Sequence, residues 1–163
     1  MVVKIITDST SDISPEVANA IGVTVVPVYV RFGDEVYRDG VDISNDEFYQ
    51  KLATSFVHPA TSQPTPEDFA KLYSDCSKEA DGIISIHISD KVSGVYNSAL
   101  QGKKMTKEEC QIEDVDSYVT SVGLALIVMA AAKLASSGGS LLEVLRRHGE
   151  LLVEYILPNL LTR

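Results

Sequence analysis

Cysteine, histidine and tryptophan are scarce in this 163-residue sequence, which has two cysteines, three histidines and no tryptophan. Cys76 and Cys110 stand far apart and match no zinc or redox spacing. Asp39, Asp42 and Asp46 form an acidic stretch that a solvated loop explains, so no clustered ligand set for a metal is visible. We therefore expect no metal, no cofactor and no disulfide, and a reducing, cytoplasmic setting.

Positive charge is also in short supply, with 14 lysines and arginines against 23 acidic residues and a net charge of -9. Such a balance repels both nucleic acid and anionic lipid surfaces. The longest apolar run, Val122 to Ala132, falls short of the roughly 20 residues that a membrane helix needs. Val2 to Thr7 is too short for a signal peptide. We expect a globular chain with no nucleic-acid partner and no transmembrane segment.

The remaining pattern alternates short β-branched runs with amphipathic stretches. Strands are predicted at Val2–Ile6, Val23–Phe32, Gly82–Ile88 and Ile112–Val115, with a short hairpin at Glu35–Arg38. Helices are predicted at Ser14–Gly22, Asn45–Ser55, Glu67–Lys78, Ser93–Lys103, Val119–Ala135 and Ser140–Gly149. Pro27, inside the second strand, indicates an edge position or a bulge. This alternation predicts an α/β fold with a parallel sheet and helices on both faces, a three-layer α/β/α arrangement.

Three polar loops are expected near the carboxyl edge of this sheet, where α/β proteins bind ligands. They contain Asp8 to Asp12, Thr61-Ser62 and Ser89 to Gly94. A helix capped by Thr65, with Pro66 at its first position, follows the second loop. Because Ser93-Gly94 opens another helix, two helix N-termini with hydroxyls in front predict an anion site.

The anion site favours a carboxylate, which needs hydroxyl and N–H donors but no proton-transfer groups. Thr61, Ser62, Ser93 and Gly94 supply those donors. The apolar helix around Val122 to Ala132 is a candidate neighbour for an apolar ligand tail. The simpler interpretations are ordinary helix caps for the hydroxyls and core packing for the apolar helix.

Two enzymatic alternatives use the same loops. A serine hydrolase would need Ser93 with a base such as His58, although Ser93 lies outside a Gly-x-Ser-x-Gly elbow. A phosphotransfer domain would use Asp8 as nucleophile, but no Walker-type glycine loop is present. We expect Asp8, Ser9 and Thr10 to be loop contacts, structural or partner-facing, without covalent catalysis.

Four motifs together resemble the DegV family: Asp8-Ser-Thr-Ser-Asp12, Tyr37-Arg-Asp-Gly40, Thr61-Ser-Gln-Pro-Thr65 and Ser93-Gly-Val-Tyr-Asn-Ser-Ala99. The resemblance runs nearly end to end and implies a bacterial protein that binds a long-chain fatty acid without being an enzyme. It implies that Thr61 and Ser93 hold the carboxylate. It also implies a partner, a fatty acid kinase to which some members present the acyl chain. Val95 stands where threonine is common in the family.

The same resemblance implies a second domain that covers the acyl tail and carries basic residues. We accordingly divide the chain into residues 1–150, an α/β domain that binds the lipid head group, and residues 151–163, the start of a truncated second domain. Val153 to Leu161 reads as strand material without a partner. We expect this apolar tail to expose surface and promote self-association.

Overall fold

A four-stranded parallel sheet forms the centre of the molecule, in a computed structural model that describes residues 2–107 and 110–151. Its strands are β1 (Val3–Asp8), β2 (Val23–Val26), β6 (Gly82–His87) and β7 (Gln111–Asp116), in the order β2-β1-β6-β7. Every residue of β6 is buried, as the continuous apolar run predicted. Parallel pairing brings the carboxyl ends of β1 and β6 to one edge, since Ile6 pairs with Ser85.

Helices alternate with the strands along most of the described residues, as the α/β pattern predicted. They are α1 (Pro15–Ala20), α2 (Asn45–Thr54), α3 (Pro66–Cys76), α4 (Val95–Met105), α5 (Val122–Ser136) and α6 (Leu141–Leu151). Helices α3 and α4 pack together, with α4 against β6 and β7, while α5 and α6 form a second pair against β1 and β6. The core between them includes Phe69 and Tyr73 of α3 and Leu124 and Val128 of α5, all without exposed surface. The three-layer α/β/α fold is confirmed.

The stretch Val23 to Phe32, predicted as one strand, is two strands in two sheets. After β2 the chain passes Pro27 and Val28 and continues as β3 (Tyr29–Phe32). Strand β3 is the middle of a small antiparallel sheet, flanked by β4 (Glu35–Arg38) and β5 (Ala60–Ser62). Proline cannot donate a ladder hydrogen bond, so the apolar run changes sheet at this point.

The apolar side chains of α2 are only partly covered: the half-buried Phe48 ring lies 5.9 Å from the Phe32 ring, measured between centroids. Leu52 is exposed and Phe56, just beyond the helix, is fully exposed. The predicted start of the helix at Asn45 is confirmed, and Ser44 and Glu47 form a capping box there. The expectations for residues 152–163, their strand character and their division from residues 1–150, lie outside the described residues and remain predictions.

Candidate functional site

Thr61 and Ser62 lie on β5, the edge strand of the small sheet. Thr61 pairs with Val30 of β3, and both hydroxyl residues are exposed. The sequence pattern predicts a loop before a helix for both residues. The structure places them in a strand whose backbone is held by antiparallel pairing, so their position depends on the second sheet and not on a helix.

Ser93 lies in the loop that leaves the carboxyl end of β6. Its N–H donates to the carbonyl of Ser89 at 3.1 Å, and the N–H of Ser89 donates to the carbonyl of Val119 at 3.1 Å. Its hydroxyl accepts a long bond of 3.4 Å from the N–H of Val95. The loop is thereby fixed at both ends, and the half-buried Ser93 side chain stands at the start of α4.

Gly94 is the N-cap residue of α4 and has no side chain with which to cap it. The side-chain amide of Gln63 fills the space beside it: a β-carbon added to Gly94 would lie 2.9 Å from Gln63 Nε2. Gln63 is two residues after Thr61, and Gly94 directly follows Ser93. This contact therefore joins the two predicted motifs in space, although they are separated in the chain.

The N-terminus of α3 is not available to a ligand. The Asp68 carboxylate accepts from the Thr65 N–H at 2.9 Å, the Thr65 hydroxyl at 3.0 Å and the Tyr29 hydroxyl at 3.1 Å. The first turn also packs on Gly102, where an added β-carbon would lie 2.8 Å from the Pro66 carbonyl oxygen. The predicted cap is confirmed, and of the two helix starts predicted for the anion site only that of α4 has no side-chain cap.

Asp8 ends β1 with no exposed surface, and four donors surround its carboxylate. Oδ1 accepts from the Thr10 N–H and hydroxyl, at 3.1 and 2.5 Å, and Oδ2 lies 2.9 Å from His87 Nδ1 and 3.1 Å from the Ile88 nitrogen. Burial would raise the pKa of Asp8, but the His87, Thr10 and Ile88 bonds outweigh it and hold the pKa below its ordinary value. Both oxygens are occupied, which does not suit a phosphate-accepting nucleophile.

The neighbours of Asp8 connect the loop after β1 to both sheets. The Ser9 hydroxyl accepts from the Val28 N–H at 3.1 Å, at the point where the chain changes sheet. The Thr10 carbonyl accepts from the Ser121 N–H at 3.0 Å, just before α5. Ser9 and Thr10 thus hold the loop after β1 against the chain at Val28 and against the start of α5.

His87 and Ser85 are functional candidates that sequence reasoning passed over. Ser85 Oγ lies 2.6 Å from His87 Nε2, so Ser85, His87 and Asp8 have the connectivity of a hydrolytic triad. The only signal in the sequence was their spacing of two residues, which points both side chains to one face of a strand. Ser85 and His87 have no exposed surface, so no substrate reaches this serine as it is placed.

The predicted hydrolase pair, Ser93 and His58, is not assembled. Across residues 2–107 and 110–151 the structure records no hydrogen bond between them, and His58 is exposed. In the same ranges no group of three or more histidine, cysteine or acidic residues is placed to hold a metal ion. None of the described helices is both long and apolar enough to cross a bilayer.

The approach to α4 carries acidic groups as well as hydroxyls. The Asp90 N–H donates to Asp116 Oδ2 at 3.4 Å. Burial, together with hydrogen bonding and the charge of Asp90, raises the pKa of Asp116, while bonds from the Tyr118 and Asp90 backbones act in the opposite direction.

Two open cavities lie elsewhere on the domain. One, of about 710 Å³, is lined by residues 19–22 and by the last turns of α5. The other, of about 750 Å³, lies between the loop after β1 and residues 39–46. Neither is lined by Thr61 or Ser93, so neither is placed to take the tail of a ligand whose head group is held there.

Comparison with known proteins gives a consistent result. A family model described as "Uncharacterised protein, DegV family" matches residues 2–152. A DegV domain-containing protein of Deinococcus radiodurans is 37% identical over 148 residues, covering 90% of this chain and 51% of the relative.

Two solved structures share the fold. The structure titled "Fatty Acid Binding of a DegV family Protein from Thermus thermophilus" is 38% identical with a TM-score of 0.83, covering 93% of this chain and 53% of that one. A stearic acid-binding protein of Eubacterium ventriosum is 32% identical with a TM-score of 0.83, covering 90% and 52%. The chain spans about half the length of each of these proteins.

Proposed function

Because this chain belongs to the DegV family, we propose that it supplies the head-group-binding half of a fatty-acid-binding protein. Thr61 and Ser93 donate their hydroxyls to the carboxylate of a long-chain fatty acid, with Ser62, Gly94 and the open N-terminus of α4 beside them. The acid is bound and not chemically changed, and it is presented to a fatty acid kinase partner. The setting is the bacterial cytoplasm, in keeping with two free cysteines.

The observation that carries this proposal is the contact between Gln63 and Gly94. Without it, Thr61 on the small sheet and Ser93 on the parallel sheet would be unrelated polar residues. With it, two hydroxyls and the first N–H groups of α4 lie in one region. Charge-assisted hydrogen bonds to a carboxylate contribute about 1.5–3 kcal/mol each.

The acyl tail should dominate affinity, since burial contributes about 0.8 kcal/mol per methylene. The hydroxyls instead decide which end of the lipid enters. The fatty-acid-binding relatives are about twice as long as this chain, so the tail is assigned to a surface that their other half helps to form.

Titration of a fatty acid and the fatty alcohol of equal length tests the proposal. Ser93→Ala and Thr61→Val should each weaken acid binding by roughly tenfold to a hundredfold, at about 1.4 kcal/mol per tenfold. The double variant should lose less than the sum, because both groups serve one anion. The alcohol should bind more weakly than the acid and discriminate little between native and variant proteins.

Matched controls are Ser136→Ala and Thr54→Val, whose exposed hydroxyls bond only to carbonyls of their own helices. Both controls should bind the acid as the native protein does. Equal acid affinity in the native protein and all site variants, with folding intact, would return Thr61 and Ser93 to ordinary structural roles. Loss of binding in the controls as well would show that the variants act through the fold.

A further inference from the structure

A line of hydrogen-bonded polar side chains, here called the polar network, crosses the sheet beneath the Ser93 loop. The network begins at Asp8, whose carboxylate lies 2.9 Å from His87 Nδ1. The other ring nitrogen, His87 Nε2, lies 2.6 Å from Ser85 Oγ. The Tyr73 hydroxyl oxygen lies 2.8 Å from Ser85 Oγ and 2.6 Å from Asp114 Oδ1, where the network ends. Asp8, His87, Ser85 and Tyr73 have no exposed surface. The three bonds among these four residues must therefore be made by the protein alone, whereas the fourth, from Tyr73 to the half-buried Asp114, lies nearer the surface.

The number of available protons limits the protonation states that the polar network can adopt. Ionised Asp8 can only accept, so His87 Nδ1 carries a proton. The remaining three bonds, from His87 Nε2 to Asp114, need three protons. The hydroxyls of Ser85 and Tyr73 supply one each. The third proton must reside either on His87 Nε2 or on the Asp114 carboxyl group.

The two arrangements differ only in where that proton lies. With it on His87, Asp8 and Asp114 are both ionised and His87 is positive. With it on Asp114, only Asp8 is charged. The net charge is minus one in both cases, and a concerted shift through two hydroxyls interconverts them without any other bond being lost.

The surroundings favour the proton on Asp114. Its second oxygen, Oδ2, is buried without a hydrogen-bond partner, which costs more for an ionised carboxylate than for a neutral acid. Burial raises the pKa of Asp114, against the Tyr73 bond and the charges of His87 and Lys103, and with the charge of Glu113. Two further titratable groups lie near the polar network: Cys76 acts on Tyr73, and Tyr96 of α4 lies near Asp114.

Two hydrogen bonds from backbone N–H groups connect the polar network to Ser93. Asp8 holds the N–H of Ile88 at 3.1 Å, which fixes the end of β6. The next residue, Ser89, accepts the N–H of Ser93. The end of β6 is fixed a second time, because the His87 carbonyl accepts from the Ser117 N–H at 3.1 Å.

We propose that Asp8, His87, Ser85, Tyr73 and Asp114 form a one-proton relay that positions Ser93 for its ligand. Asp8 and His87 are positioning residues: they never meet the lipid, but hold the end of β6 from which the Ser93 loop departs. When the shared proton is lost as the pH rises, two protons remain for these three hydrogen bonds. One bond then opens, and a second negative charge lies uncompensated in the interior. The part of the proposal that concerns lipid rests on the proposed function; the relay does not.

Tyr73→Phe breaks the relay while keeping the ring in place, and Tyr49→Phe on the exposed face of α2 is the matched control. The first measurement is made on lipid-free protein by long-range ¹⁵N–¹H correlation of the His87 ring. We expect a protonated Nδ1 and an unprotonated Nε2 at neutral pH. An unprotonated Nδ1, or a ring protonated on both nitrogens, overturns the assigned state.

The second measurement is amide hydrogen exchange at Ile88 and Ser93, again without lipid. Tyr73→Phe should speed exchange at both amides by about tenfold, which corresponds to about 1.4 kcal/mol, and Tyr49→Phe should not. In the native protein the protection factors of both amides, which compare the measured exchange rate with the intrinsic rate at the same pH, should fall as the pH is raised. Equal exchange in the two variants overturns the relay.

A fatty-acid titration of Tyr73→Phe completes the test. Weaker binding than in Tyr49→Phe supports the positioning role, whereas unchanged binding with faster exchange refutes it. If native protein binds no fatty acid, the proposed function fails while the two lipid-free measurements still decide the relay.

Discussion

Ser93 lies in the loop after β6, a six-residue strand that is buried throughout. Thr61 lies on β5, a three-residue edge strand that is exposed throughout. The end of β6, before the Ser93 loop, is held by buried hydrogen bonds that join His87 and the Ile88 N–H to Asp8, a residue far away in the sequence. The Thr61 side is held by one antiparallel pairing and by the contact of Gln63 with Gly94. A head-group site built in this way has one rigid wall and one adaptable wall. Variants on the rigid wall should cost stability, and those on the adaptable wall should cost mainly affinity.

The largest effect is expected from Asp8→Ala, on the rigid wall. The change leaves His87, Thr10 and the Ile88 N–H without their buried partner. Removing one member of a buried pair typically costs about 3–5 kcal/mol, and we expect a loss of that order in the free energy of unfolding by urea. Asp46→Ala, at an exposed position of α2, is the control and should change stability little.

The pH dependence of stability provides an independent check on Asp8. Its pKa is lowered in the folded protein, so it stabilises the fold above its unfolded pKa, near 3.9. That contribution should be lost as the pH falls through the folded pKa. Asp8→Asn should flatten this acid limb of the stability curve; an unchanged limb would mean that other carboxylates cause it.

The next largest effect is expected from Gly102→Ala, where α3 and α4 cross. Alanine favours a helix by about 1 kcal/mol over glycine, but its β-carbon would lie 2.5 Å from Phe69 Cβ and 2.8 Å from the Pro66 carbonyl oxygen. Since a backbone atom cannot turn aside, overpacking should win and cost roughly 1–3 kcal/mol. Thermal and urea unfolding measure it. A more stable variant would show that the two helices can separate freely.

Gly94→Ala probes the contact between the two walls and should have a smaller effect on stability. Its backbone, at φ -77° and ψ 2°, accepts alanine, and the new β-carbon meets only the movable amide of Gln63 at 2.9 Å. We expect unfolding to be nearly unchanged and fatty-acid affinity to fall by roughly threefold to tenfold, about 0.7–1.4 kcal/mol. Native affinity in this variant would mean that Gln63 does not set the distance between Thr61 and Ser93.

The smallest effect belongs to the exposed hairpin beyond the adaptable wall. The Arg38 side chain and backbone N–H both bond to Asp42 and lower its pKa to about 2. Arg38→Ala should raise the Asp42 midpoint in a carbon-13 carboxylate titration, leaving the unfolding midpoint where it was. An unmoved Asp42 midpoint would assign the shift to the backbone bond alone.

Features governed by neighbours within a few residues were readable from the sequence. The predicted cap at Thr65 and the predicted helix starts near Asn45 and Ser140 all appear, because a hydroxyl and an acid three positions later satisfy the same helix end in nearly any context. The alternation of strands and helices likewise gave the three-layer fold, since each element shows its buried face as a periodicity.

Long-range pairing was decided only by the tertiary structure. Asp8 and His87 are 79 positions apart, and only the register between β1 and β6 places them side by side. The same holds for Gln63 against Gly94, and for the change of sheet after Pro27, which divides a run that reads as one strand. The first turn of α3, predicted as part of an anion site, is instead filled by Asp68, which also receives the Tyr29 hydroxyl from the other sheet. Hydrogen bonds of this kind depend on where whole elements pack, so no spacing in the sequence records them.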